Sequence, residues 1–450
     1  MSTISQLRSL GLFDARVPRY TSYPPANHFT ASVAADQAAD WIGMIPKGAE
    51  ISLYLHVPFC RRLCWFCACR TQGTQSLDPV RAYVETLLAE IRMLRQRLPG
   101  VRLSRLHWGG GTPTLLPPDL IERLAVAVFD AFPLIRDGEF SVEIDPSEID
   151  PARMAALAAV GMNRASIGVQ DFDPLIQQTI GRMQSFEITA QAVQMIRDAG
   201  VDSVNADILY GLPHQDQRRM SETVQKLLAL SPDRVALYGY AHVPWMSKRQ
   251  VMIPDDTLPG NEERLHLFET ARDLFRADGY LDIGIDHFAR HRDRLARARD
   301  RGRLRRNFQG YTDDRAVHLI GLGASSISRF PQGYAQNAPA TGAYTARIRA
   351  GQLATTRGHA FTAEDHWRGR MIEALMCDFR ISSAEMKKDF GLDEAQLQAI
   401  FAPLVARFGQ VVELRPDGLL IRPEARALTR LIAQMLDGYE APSGGHSLAI

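Results

Sequence analysis

From residue 51 the chain alternates between two hydrophobic patterns. Ile51 to Val57, Leu103 to Trp108, Phe140 to Ile144, Ala165 to Val169, Ser203 to Tyr210 and Val235 to Tyr240 are short and rich in apolar residues, as strands covered on both faces are. Between them, Val80 to Leu98, Asp119 to Phe132, Pro151 to Val160, Phe186 to Ala199 and Met220 to Leu230 carry apolar residues at helical spacing. Such alternation predicts a parallel sheet with crossover helices. The six units have polar, glycine-rich turns after their strands. They predict an α/β fold, a full or partial TIM-type barrel, with its chemistry at the C-terminal ends of the strands.

The flanks read differently. In residues 1–45, Arg19-Tyr20-Thr21-Ser22-Tyr23-Pro24-Pro25 is too proline-rich for a helix, so this stretch reads as an arm whose tyrosines need a partner surface. Residues 260 to 279 are helical in pattern. Ala289 to Arg306 holds nine arginines and two aspartates, either solvated surface or a basic lid attracting an anionic substrate. From 362 the helical stretches Trp367 to Asp378, Ser383 to Asp389 and Leu392 to Phe408 lead to Val411 to Leu414. A turn at Pro416-Asp417-Gly418, then Leu419 to Ile421 and a helix to about Leu436 complete a winged-helix-like pattern. Four parts are therefore expected: an arm (1–45), the barrel (46–290), an arginine-rich segment completing the barrel (291–361) and a mainly helical C-terminal domain (362–450).

Composition narrows the function classes. The 450 residues are 46% hydrophobic and 23% charged with net charge +1, which favours neither nucleic acid nor an anionic membrane. Residues 361–450 hold 13 acidic and 10 basic side chains, which argues against DNA binding by the winged module. No run is apolar enough to span a bilayer, and Met1 to Leu10 lacks a secretory signal pattern, so a cytoplasmic location is expected.

Of five cysteines, four lie between residues 60 and 69, which argues against a disulfide framework and for metal binding. Cys377 stands alone in a helical stretch and reads as a small buried hydrophobe. Cys60-x-x-x-Cys64-x-x-Cys67 directly follows the first strand, on a loop at its C-terminal end. Four thiolates close an ordinary 4Fe-4S cluster, so three leave one iron open, as catalytic metal sites do. A zinc ribbon spaces its two hooks apart, and a redox C-x-x-C would use only Cys64 and Cys67. Neither accounts for three cysteines after the first strand of a barrel. Gly109 to Thr114 follows the second strand on the same rim, and glycines admit close approach of a ligand to the backbone. Glu143, Gln170 and Asp207 lie on the next three strands. Arg182 follows Gly181 and could bind a carboxylate bidentately. Ala241 follows the sixth strand.

The C-x3-C-x2-C spacing resembles the radical S-adenosylmethionine (SAM) superfamily, in which SAM chelates the open iron and is cleaved to a 5′-deoxyadenosyl radical. Further stretches resemble one family within it, oxygen-independent coproporphyrinogen III oxidase. They are Pro18 to Pro24, Tyr54 to Cys60, Cys67-Ala68-Cys69, Gly109 to Thr114, Asn205 to Pro213, Arg306 to Thr312 and Ile320 to Ser328. The resemblance implies a radical SAM barrel and anaerobic oxidative decarboxylation of coproporphyrinogen III to protoporphyrinogen IX, two propionates becoming vinyls, in haem biosynthesis. It implies a 4Fe-4S cluster on Cys60, Cys64 and Cys67, and two SAM molecules. It implies SAM contacts at Tyr54, Phe66, Gly110, Gly111, Thr112, Glu143, Gln170, Arg182, Asp207, Ala241 and Ile327, and catalytic positions at Tyr54, His56 and Cys69. Thr112 replaces the acid common in the superfamily's glycine loop, and Arg70 stands where the family often has asparagine. A flavodoxin- or ferredoxin-type electron donor, an unidentified acceptor and a monomeric state are also expected. The alternative is a haem chaperone or haem-modifying relative, which shares the cysteine loop; the haem chaperone branch lacks Cys69 and the 18–24 arm.

Overall fold

The computed structural model describes residues 4–439 and 449. The outer limits of the arm and of the C-terminal domain, at residues 1–3, 440–448 and 450, lie outside the described residues.

The six expected strands all form. They are β1 (Glu50–Val57), β2 (Arg102–Gly110), β3 (Leu134–Ile144), β4 (Arg164–Gln170), β5 (Ser203–Tyr210) and β6 (Arg234–Gly239). They lie side by side in chain order, each parallel to the next. The crossovers are helices Asp78–Arg97, Pro118–Ala131, Pro151–Ala159, Phe186–Asp198 and Gln217–Ala229. Three of these start on a side-chain cap: Asp150, Ser185 and Asp216 each accept from a backbone N–H three residues on. The apolar strand runs pack inward beneath the helices; Trp108 and Phe140 meet edge to face at 5.2 Å.

The sheet continues past these six. At one edge β8 (His287–Ala289) adds antiparallel to β6, and β7 (Leu281–Ile283) antiparallel to β8. At the other, β9 (His318–Leu322) runs parallel to β1, followed by antiparallel β10 (Ile327–Phe330), β11 (Gly333–Asn337) and β12 (Thr355–Ala360). The order is β12-β11-β10-β9-β1-β2-β3-β4-β5-β6-β8-β7. Several of the added strands are three to five residues long, too short to show a hydrophobic period in sequence.

Helices Ala363–Asp378, Ser383–Phe390 and Glu394–Phe408 and a three-stranded antiparallel sheet (Arg380–Ser382, Gly418–Ile421, Val412–Arg415) build the winged arrangement. Its core contains Leu375, Phe401, Leu404 and Phe408, and also Leu7, Leu12, Phe13 and Val17 of the arm. The Tyr20 hydroxyl donates to Asp437 (2.9 Å), and Gly438 N–H donates to the Tyr23 hydroxyl (2.9 Å). The front of the arm therefore belongs to the C-terminal core. Its later part, with helix Ala35–Gly43, buries Ala38, Trp41 and Ile42 on the barrel.

The basic-lid reading of the arginine-rich segment is corrected at Arg306. That side chain is 5% exposed, lies 3.5 Å from Asp286 and donates to the Tyr311 hydroxyl at 2.8 Å. Its charge is neutralised inside the protein. Arg306 still shares the wall of a 610 Å³ cavity with Arg303, Arg305, Phe308, Arg315 and Arg329. Cys377 is buried beside Ile283 and Leu295, as a small hydrophobe. No helix among the described residues is long and apolar enough to cross a membrane.

Candidate active site at the C-terminal rim of the barrel

Strand register brings the site together. Parallel pairing sets His56 opposite Gly109, Val57 opposite Gly110, Tyr54 opposite His107 and Gly168 opposite Asp207. Residues two apart share a face, so Tyr54 with His56, and Asn205 with Asp207, project to the same side of the sheet.

The Tyr54 hydroxyl lies 2.9 Å from His56 Nδ1, and His56 Nε2 lies 3.2 Å from the Arg70 carbonyl. A carbonyl only accepts, so Nε2 carries the proton and Nδ1 accepts from Tyr54. Burial lowers the His56 pKa, against the Arg70 hydrogen bond, and burial raises that of Tyr54. Both side chains are therefore neutral. The Tyr54 ring stacks on His107 at 5.8 Å.

Glu143 accepts from Gly110 N–H (2.9 Å) and from His107 Nε2 (3.2 Å). Burial pushes its pKa up, but the His107 and Gly110 contacts outweigh this and hold it below the ordinary carboxylate value. Glu143 is thus a fixed anion beside the glycine run. Asp207 accepts from Asn205 (2.8 Å) and Ser166 (3.3 Å), and burial raises its pKa. Gln170 ends β4 in a left-handed conformation, φ 69°, where the β4–β5 register shifts. Its amide nitrogen lies 3.0 Å from where a Cβ on Gly168 would sit.

The cysteine loop is tied to the glycine run. Gly111 N–H donates to Val57 O and Thr112 N–H to Phe59 O, both at 2.8 Å. Gly110 has φ +115°, and a Cβ there would lie 2.4 Å from the His56 ring. Only glycine lets the run pass over His56. Across the loop, a Cβ on Gly181 would lie 2.9 Å from the Trp65 ring, and Trp65 N–H donates to Ile180 O at 2.9 Å. Burial pushes the Cys60 thiol up to about 11, opposed by a hydrogen bond with Thr112. The contact between the two thiols lowers Cys67 and raises Cys69. Arg182 points one guanidinium nitrogen at Cys64 Sγ (3.6 Å) and another at Gly168 O (3.0 Å). It meets one oxygen of Asp145 at 3.5 Å rather than a carboxylate pair, and its buried Nε has no partner.

These groups fit an iron–sulfur cluster and a zwitterionic ligand. Three free thiols stand on one loop, and a cluster attached to them would displace their protons. Among the described residues no three His, Cys, Asp or Glu side chains converge on a single ion. Glu143, the Gly110–Thr112 backbone and Arg182 offer partners to ammonium and carboxylate groups.

The remaining predicted positions adjoin this site. Ile327 begins β10, its backbone 2.9 Å from where a Cβ on Gly321 would sit, and Gly321 pairs with Tyr54. Ala241 and Phe66 are joined by a residue with no sequence signal. Gln250, fully buried, donates to Phe66 O (2.8 Å) and Ala241 O (3.0 Å) and accepts from Val243 N–H (2.6 Å). Ser247 donates to Cys67 O at 3.0 Å, and Arg249 to Thr71 O at 2.7 Å. Segment 243–252 thus braces the cysteine loop. Behind His56, the Tyr83 hydroxyl donates to its carbonyl and accepts from Ala324 N–H, both at 2.9 Å. His107 was also missed, although its place two residues before Gly109 puts it on the Gly109 side of β2.

Comparison with known proteins agrees with this arrangement. Residues 54–227 match the radical SAM superfamily. The chain is 69% identical over 451 residues, all of both chains, to oxygen-independent coproporphyrinogen III oxidase of Paracoccus denitrificans. It is 60% identical over 98% of both chains to the protein of that name from Cereibacter sphaeroides. The chain belongs to the oxygen-independent coproporphyrinogen III oxidase family. Among solved structures of this family, the Escherichia coli coproporphyrinogen III oxidase, a radical SAM enzyme, superimposes with a TM-score of 0.90 at 34% identity. That match covers 95% of this chain and all of the other. As a member of this radical SAM family the chain takes a 4Fe-4S cluster and SAM. The sheet edge of β9 to β12 and the C-terminal domain lie beyond the stretch matched to the superfamily at large, within the part shared with the coproporphyrinogen oxidases.

Proposed function

We propose that this chain carries out the anaerobic oxidative decarboxylation of coproporphyrinogen III to protoporphyrinogen IX, with Cys60, Cys64 and Cys67 as cluster ligands. The observation that carries the residue assignment is the pair of 2.8 Å backbone bonds that lock the cysteine loop onto the Gly109–Thr112 run, beside anionic Glu143. The full-length relative at 69% identity supports the substrate.

When bound, the reduced cluster and SAM supply the carbon radical that removes a hydrogen atom from the propionate side chain. The chain's own residues bind and orient. Glu143 offers a fixed negative charge to an ammonium group, and the Gly110–Gly111 backbone leaves room for it. Arg182 compensates thiolate charge at Cys64 and can turn its unpartnered Nε to a carboxylate. Asp207, Gln170, Phe66, Ala241, Thr112 and Ile327 border the nucleoside side of this space. Tyr54 and His56 form a neutral hydrogen-bonded pair at its floor. Cys69, exposed and two residues past Cys67, is assigned to the reaction and not to the cluster. Two SAM molecules, a monomeric enzyme in the cytoplasm, a flavodoxin- or ferredoxin-type donor and a separate electron acceptor complete the reading.

The test is anaerobic reconstitution with iron, sulfide and dithionite, then SAM, coproporphyrinogen III and an electron acceptor, with products separated by chromatography. Protoporphyrinogen IX is expected. Cleavage of SAM without vinyl product would overturn the decarboxylase reading and leave the radical SAM chemistry standing.

A further inference from the structure

Eleven large hydrophobic side chains are strongly exposed among the described residues, and five of them flank the cysteine loop: Met183 (52%), Trp245 (51%), Met246 (73%), Val251 (71%) and Met252 (57%). Single exposed hydrophobics need no explanation, but a cluster marks an interaction surface. Four of the five lie on segment 243–252, which braces the loop from outside through Ser247, Arg249 and Gln250. The fifth is joined to the loop by Arg62, which donates to Met183 O at 3.1 Å. The loop's own exposed edge carries Arg61 and Arg62.

The charge around these side chains is mixed, with Arg16, Arg61, Arg62 and Lys248 on the basic side and Glu148, Asp255 and Asp256 on the acidic side. Lys248 is exposed, and Arg16 sits 5.6 Å over the Trp245 ring. Of the acids bordering the patch, Glu148 faces Arg61 at 3.8 Å and Asp255 faces His242 at 2.7 Å, while Asp256 is exposed at the far end. The apolar-centred surface, bordered by Arg61, Arg62 and Lys248, lies one hydrogen bond from the backbone of Cys67. Electron transfer between proteins falls steeply with distance, and its encounter complexes are small, brief and steered by opposite charge. A docking surface for a reductant must therefore lie over the cluster ligands, carry exposed apolar contact and complement its partner's charge. This patch meets all three conditions.

We infer that the surface formed by Met183, Met246, Val251 and Met252, with Arg61, Arg62 and Lys248, docks an acidic, low-potential one-electron protein that reduces the cluster. The inference rests on the reaction proposed above. The donor loses one electron and the cluster gains one; no bond forms between the proteins. Gln250 of this segment is buried against the loop, whereas its neighbours Val251 and Met252 face outward into solvent.

The test uses the reconstituted full chain with Val251→Glu/Met252→Glu and, separately, Arg62→Glu/Lys248→Glu. SAM cleavage and vinyl formation are driven either by dithionite or by a photoreduced acidic flavodoxin. Both variants should retain dithionite-driven turnover and show roughly a tenfold rise in KM for flavodoxin. Added salt should raise the wild-type KM for flavodoxin and leave the dithionite rate unchanged. The docking inference is overturned if flavodoxin-driven turnover is unaffected in both variants. It is also overturned if both reductants lose rate equally, since the patch would then serve substrate or fold. Wild-type failure with flavodoxin alone excludes an acidic flavoprotein as the occupant, whereas failure of wild-type vinyl formation with dithionite strikes the reaction itself.

Discussion

The Tyr54 hydroxyl donates across 2.9 Å to His56 Nδ1, in the tautomer that the Arg70 carbonyl at Nε2 sets for this histidine beneath the glycine run. Tyr54→Phe leaves Nδ1 without its donor in a buried place, costing about 1–3 kcal/mol of stability. Thermal denaturation should show that loss, and vinyl formation should fall by about tenfold or more. A variant with unchanged rate would show that the pair only fills space.

Gly110 admits no side chain. Gly110→Ala would press a methyl group to 2.4 Å from His56 while forcing a non-glycine residue to φ +115°. SAM binding, measured by calorimetry on the reconstituted protein, should weaken strongly, with a stability loss of about 1–3 kcal/mol. Gly43→Ala, with open space around its Cβ, is the matched control and should bind SAM normally.

Cys60, Cys64 and Cys67 should each lose most of the bound iron and the visible absorbance on replacement by serine. Cys69→Ser should keep both, because Cys69 lies outside the C-x3-C-x2-C set, and should lose vinyl formation. Iron and sulfide analysis separates the two classes. Equal iron loss at all four positions would make Cys69 a ligand.

Arg306 and Arg303 should behave differently. Arg306→Gln leaves Asp286 with His287 (2.6 Å) as its partner and removes the Tyr311 contact, and should cost about 1–3 kcal/mol. Arg303, fully on the cavity wall and exposed, should cost within about 0.5 kcal/mol on the same change. Urea unfolding of the two variants gives the comparison, and a KM for coproporphyrinogen III raised in Arg303→Gln alone would give that arginine a substrate role.

Glu90 gives a pH dependence. It is buried behind the site, where it accepts from Gly323 N–H (2.8 Å), Asn337 (2.9 Å) and Tyr344 (2.7 Å). Burial pushes its pKa up to about 7, against those three donors. Between its ordinary value near 4.5 and about 7 the folded chain holds a proton that the unfolded chain has lost. Glu90 thus favours folding most at low pH, and its contribution falls as pH rises through about 7. Glu90→Gln should flatten this slope in a plot of unfolding free energy against pH. An unchanged slope would assign the dependence elsewhere.

The six parallel strands and their helices were legible because each is an apolar run or a helical stripe complete within 6 to 20 residues. The cysteine spacing and the glycine run were legible for the same reason: a local chain segment must supply three thiolates to one cluster, or a side-chain-free path to a ligand. The edge strands β7 to β12 were not, since strands this short depend on their neighbours for pairing. Arg306 read as part of a basic lid because sequence shows charge but not the Asp286 that cancels it.

What the sequence determined by itself is the chemistry at hand: three thiolates on a loop after a strand, glycines on the next loop, and polar groups at the following strand ends. What only the tertiary structure decided is which groups face each other. Gln250 meets Phe66 across 184 positions of sequence, Ala324 meets Tyr83 across 241, and Ser247 meets Cys67 across 180. A hydrogen bond depends on separation in space, and no periodicity along the chain encodes contacts made by closing a sheet and folding a loop back over its rim.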